Sequence, residues 1–172
     1  MELKAARHLW GFARDWETGF ADFASLGYEG IDAVLPVSEK EALFRDLLER
    51  HGFFYIAQIG TVGQTLQEHL DSFRAQVERA VTFEPLLINA HSGRDAFSAA
   101  ESREFFREAL QIQADCGVPV VHETHRSRVL YNPWITRDLL REFPEMKLCC
   151  DFSHWINVCE RLIHDQVEII RL

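Results

Sequence analysis

Short apolar runs alternate with longer amphipathic ones six times along the chain, and this alternation constrains the fold more than any other feature. The strand-like runs are Leu3–Phe12, Gly30–Leu35, Phe53–Ile59, Leu86–His91, Val118–Glu123 and Lys147–Asp151. Helix-like runs lie between them, near Trp16–Leu26, Glu39–His51, Thr65–Val81, Ala99–Cys116 and Pro133–Glu142, and a sixth follows Trp155. Strand ends at Ile59, His91, Glu123 and Asp151 are 32, 32 and 28 residues apart, the length of a β/α unit. The strands are nearly continuously apolar, as strands are when both faces are covered. Strict alternation then predicts an α/β fold with a parallel sheet and right-handed crossovers.

Local punctuation supports the boundaries. Ser38 and Glu41 have the spacing of a capping box, and Ala42, Leu43, Leu47 and Leu48 are the expected buried face of that helix. Gly52 is placed to end it. Phe105, Phe106, Ala109, Leu110, Ile112 and Cys116 form one apolar stripe among Arg and Glu, and Gly117 suits a left-handed cap beyond them. Pro133 suits the first turn of a helix, and Pro144 follows its end.

The 172 residues are enough for one domain with a sizeable core, and no linker-like segment divides 1–172. No stretch of 18 apolar residues exists, so no membrane-spanning helix is expected. The N-terminus has no apolar segment of the secretory kind. Eighteen basic against 27 acidic residues give a net charge of −9, which disfavours a nucleic-acid backbone as partner. The four cysteines include no C-x-x-C pair and read as small buried residues in a reducing compartment, so a cytoplasmic location is expected.

Polar residues gather where the strands run out: Asn89-Ala90-His91-Ser92-Gly93, His122-Glu123-Thr124-His125-Arg126 and Asp151-Phe152-Ser153-His154-Trp155. In parallel β/α folds this carboxyl end is where ligands bind. Glu123 and Asp151 at the ends of apolar strands would be poorly solvated, and a divalent cation would offset that cost. Oxygen and imidazole donors together suit Mn2+, Mg2+, Co2+ or Zn2+. The competing role for each acid is to cap the helix that follows. His154, three residues after Asp151, is a candidate ligand or substrate contact. Trp10 is either a stacking surface for a ligand or an ordinary barrel-core aromatic. Arg126 and Arg128 form the only dense basic pair, on a loop.

These same segments, with His8-Leu9-Trp10-Gly11 and Leu26-Gly27-Tyr28-Glu29-Gly30-Ile31, resemble the xylose isomerase-like TIM-barrel superfamily. That superfamily includes sugar-phosphate isomerases/epimerases and family 2 AP endonucleases. The resemblance implies a metal in the barrel mouth, held by Glu123 and Asp151. It implies that His154 contacts substrate or metal, and that His91 matches a ligand of the endonuclease branch. About six of the eight units of a full (β/α) barrel are recognisable, and the chain ends at Leu172. A truncated product, a fragment, or a barrel completed by association into a homo-oligomer is therefore expected.

The implied activity is metal-dependent isomerisation or epimerisation of a sugar, sugar phosphate or related polyol through an enediolate. Glu123 and His154 are the candidate catalytic groups, and Trp10, His91 and Arg126 the candidate substrate contacts. The alternatives are a metal-dependent phosphodiesterase and a non-catalytic barrel fragment.

Overall fold

A computed structural model describes residues 3–172. Six parallel strands form one sheet in sequential order: β1 Ala6–His8, β2 Gly30–Val34, β3 Phe54–Gly60, β4 Leu87–His91, β5 Val120–Glu123 and β6 Leu148–Cys149. Helices α1 Trp16–Ser25, α2 Glu41–His51, α3 Leu66–Val81, α4 Ala99–Ala114, α5 Pro133–Glu142 and α6 Phe152–Cys159 follow the strands in turn, and a short α7 spans Val167–Ile170. The result is an incomplete (β/α) barrel of six units. Among the described residues β1 and β6 are the outer strands of the sheet.

The alternation of side chains along each strand sorts the sheet into two faces. Tyr55, Ala57, Ile59, Ile88, Ala90 and Val120 are buried on the face that meets the helices. Phe20, Phe44, Phe73, Phe105 and Phe106 cover them, each no more than 1% exposed. The opposite face, the barrel interior, is less covered: Phe54, Ile56, Leu87, Val121 and Cys149 are only partly buried. His122 faces the helices. Its Nδ1 accepts from Ser92 Oγ at 2.7 Å, its Nε2 donates to Gln113 Oε1 at 3.0 Å, and its ring stacks on Phe73.

Several local expectations are corrected. Ser38 does not cap α2: Ser38–Lys40 is a 3-10 turn, and Lys40 precedes the helix with no side-chain cap. Of the expected buried face of α2, Leu47 is buried and Leu43 and Leu48 are partly buried against the core, while Ala42 is exposed and Phe44 is buried in addition. Full capping boxes occur instead at Thr65/Glu68 on α3 and Ser98/Glu101 on α4. Gly52 does end α2, in the left-handed conformation at φ 65°. The sixth helix begins before Trp155, at Phe152. The cysteines are free, but none is fully buried as expected: Cys150 lies just past β6 and is exposed, and the other three are partly exposed. No described helix is long and apolar enough to cross a membrane.

Candidate metal centre

Glu123 ends β5 with its side chain inside the barrel, 7% exposed. Its two oxygens have different surroundings. Oε2 accepts from Asn89 Nδ2 at 2.5 Å and from His91 Nε2 at 2.9 Å. Oε1 faces His154 Nε2 at 4.0 Å. Burial alone would push the carboxyl up. The bond and charge of His91, with the Asn89 bond and the charge of His125, outweigh it and leave the pKa below the ordinary value. The ionised form, which an ion needs, is therefore favoured.

Asp151 takes the capping role that the sequence set against metal ligation. It is the N-cap of α6, and its Oδ1 accepts from Ser153 N at 2.9 Å. Its Oδ2 lies 3.6 Å from His154 Nε2, with the side chain 43% exposed. Thr124 fixes its position: the Asp151 N–H donates to Thr124 Oγ1 at 2.8 Å, and that hydroxyl donates to the Asp151 carbonyl at 3.0 Å. Glu123, Asp151 and His154 each offer a donor atom within 4.8 Å of the others. His91, Glu123 and His125 do the same.

His125 was not singled out from the sequence. Its ring lies between those of His91 and His154, with centroids 4.4 Å and 3.9 Å away. Its Nδ1 donates to the Arg126 carbonyl at 2.5 Å, which leaves Nε2 with a free lone pair. Burial, then the neighbouring imidazoles, lower its pKa. Arg126 itself is exposed on the loop. Arg128 is the arginine that turns inward, donating to the carbonyls of Thr61 at 2.6 Å and Gly93 at 3.2 Å.

Deeper in the barrel lie His8 and Asn89, which belong to the sequence motifs but were assigned no role from them, and Asp32 and Gln58, which were not singled out from the sequence. The Trp10 N–H donates to His8 Nδ1 at 2.8 Å, and His8 Nε2 lies 3.2 Å from Gln58 Nε2. Asp32 is raised by burial and by Glu123, against the attraction of His8 and His91. Cys149, in register with Glu123, is pushed up to about 12 by burial and by the charges of Glu123 and Asp32. Trp10 is no core aromatic. It is 86% exposed and lines a cavity of about 340 Å³ with Trp16, Val37 and Lys40, which reaches the barrel interior at His8 and Gln58.

Comparison with solved structures places the fold. The probable 3-DHS dehydratase AsbF of Bacillus anthracis superimposes with a TM-score of 0.71 at 17% identity, over 98% of this chain and 69% of that one. The 3-keto-D-glucoside 4-epimerase YcjR of E. coli gives 0.67 at 15% identity, over 99% and 75%. The IOLI protein with a bound zinc atom gives 0.66 at 13% identity, over 89% and 64%. No curated protein matches in sequence. A family model described as xylose isomerase-like TIM barrel matches residues 20–171, which includes every described strand but β1 and all the candidate ligands. The chain belongs to the xylose isomerase-like TIM-barrel family.

Proposed function

We propose that the chain is a divalent-metal-dependent isomerase or epimerase of a sugar, sugar phosphate or related polyol. The observation that carries this reading is the asymmetry of Glu123, with Oε2 tied down and Oε1 turned toward His154, which in turn faces Asp151. Two carboxylates and an imidazole converging within 4.8 Å fit an ion with bond lengths of about 2.0–2.3 Å. Mn2+, Mg2+, Co2+ and Zn2+ all suit this donor set. The zinc in one structural neighbour and the epimerase name of another support the reading.

Glu123, Asp151 and His154 would hold the ion. Once bound, it supplies Lewis-acid polarisation of a carbonyl and its adjacent hydroxyl. Where His154 does not ligate, its Nε2, which stands beside both acids, can instead orient a hydroxyl or hold a proton, since one lone pair serves only one of these roles. Exposed Trp10 offers an apolar face to a sugar ring, and Arg126 stands on the exposed loop where an anionic substituent would meet it. His91 would serve by fixing Glu123. The second donor cluster, His91, Glu123 and His125, favours a multi-metal phosphodiesterase as runner-up.

The test loads the chain with Mn2+, incubates it with a panel of aldoses and ketoses in D2O, and follows deuterium entry at carbon by NMR. Exchange that Glu123→Gln abolishes is expected, with close to one ion bound per chain. No exchange across the panel overturns the isomerase reading, and a stoichiometry near three favours the phosphodiesterase.

A further inference from the structure

Asn89 is 2% exposed, and the two ends of its amide have opposite fates. Nδ2 donates to Glu123 Oε2. An ionised carboxylate only accepts, so the amide cannot be turned round. Oδ1 is thereby aimed into the protein, where no donor among the described residues meets it. Such a buried, unpaired acceptor is costly, and an apolar side chain of similar volume would avoid it. The bond is not needed to join the strands. Backbone pairing already couples β4 to β5 through Ile88↔Val120, Asn89↔Val121 and Ala90↔His122.

What the amide does is select a pose for Glu123. With His91 it occupies Oε2 from two sides, which leaves only Oε1 to turn toward His154. We propose that Asn89 is a positioning residue that aims Glu123 at the ion, retained at the expense of its own orphaned carbonyl. The inference rests on the ion-site reading and adds to it a residue that touches no ion.

Calorimetric titration with MnCl2, paired with thermal unfolding in EDTA, tests it. Asn89→Leu is expected to change the unfolding temperature little, because the orphaned carbonyl is lost together with the bond to Glu123, yet to bind Mn2+ at least tenfold more weakly, as loss of an outer-shell partner does. Thr136→Val is the comparison. Thr136 is fully buried on α5 and donates to the Asn132 carbonyl, so its loss should lower the unfolding temperature and leave Mn2+ affinity unchanged. Asn89→Leu behaving like Thr136→Val would overturn the proposal. Should the leucine variant fail to fold, Asn89→Ala decides: a tenfold loss of affinity supports the role, and unchanged affinity overturns it. Absence of Mn2+ binding by the unsubstituted chain would remove the ion site and the inference together. Unchanged affinity in the Asn89 variants alone would remove only the inference.

Discussion

Asp32 sits on β2 with one carboxylate oxygen, Oδ1, shut off from solvent and without a donor among the described residues. Burial and Glu123 raise its pKa above 3.8, with His8 and His91 pulling the other way. A raised folded-state value means that the native state keeps the proton longer than the unfolded chain. That contribution is fully present below pH 3.8 and is lost as the pH rises through the folded value. Above pH 3.8 the buried, under-partnered carboxyl therefore costs stability, by an amount that grows with pH until the folded value is passed. Asp32→Asn is expected to raise the melting temperature at pH 7 by about 3 °C, for a cost on the order of 1 kcal/mol. The gain should shrink as the pH approaches 3.8. Calorimetric scans of both proteins at pH 7 and pH 4.5 check this, and a lower melting temperature for the variant at pH 7 would mean that the carboxylate has a favourable partner.

At the scale of elements, the sequence is most legible where one physical signal dominates. Glu123, His91, Asp151 and His154 stand out because each is a polar residue at or just past the point where an apolar strand runs out. Asp32 in GIDAV, Gln58 in FYIAQIG and Asn89 in LINAH carried an equally plain signal, a polar residue inside an otherwise apolar strand. Period-two alternation puts each of them on the face opposite the helix-covered residues, and so inside the barrel. His125 could not be read this way, because its place in the imidazole stack depends on the loop that follows β5. Ser38 failed as a cap because three residues of 3-10 helix intervene before α2, and spacing alone does not distinguish the two geometries.

His122 shows how strand alternation becomes a stability property. Fully buried between β5 and α4, it is held neutral, its pKa lowered to about 4 by desolvation. Its polar contacts, Ser92 and Gln113, are uncharged, and Phe73 and Phe106 pack against its ring. The unfolded chain binds a proton here between pH 6.5 and 4 that the native state refuses. Stability should thus rise with pH through that window and be complete above it, a contribution of about 3 kcal/mol. Chemical denaturation at pH 7 and pH 5 should show a loss for the native sequence that is smaller in His122→Gln. Equal losses in the two proteins would assign the acid sensitivity to other groups.

Over the whole molecule, the proposed ion would tie together the parts that the sheet holds least. β2 and β3 pair through five residues, whereas β5 and β6 pair through only two. Beyond β6, α6 and α7 pack in a separate small cluster of Trp155, Ile163 and Ile169. α6 is tied back by the Trp155 indole, which donates to the Leu130 carbonyl at 3.0 Å in the segment after β5, and by the Thr124–Asp151 pair, while α7 packs on α5. Glu123 belongs to β5, while Asp151 and His154 belong to the start of α6, so an ion shared among them bridges this weak joint. A ligand that binds only the folded state stabilises it by about 2.7 kcal/mol at a hundredfold excess over its Kd. For a chain of this length that corresponds to a rise of roughly 5–10 °C in melting temperature, which EDTA should reverse. Local opening is less costly than global unfolding, so the gain should be uneven along the chain. Hydrogen exchange with and without Mn2+ should show the largest new protection in Phe152–Cys159 and little change in Trp16–Ser25, which touches none of the proposed ligands. Protection that rises equally in both helices would mean that the ion acts on global stability alone, and no added protection in α6 would mean that Asp151 and His154 do not hold it.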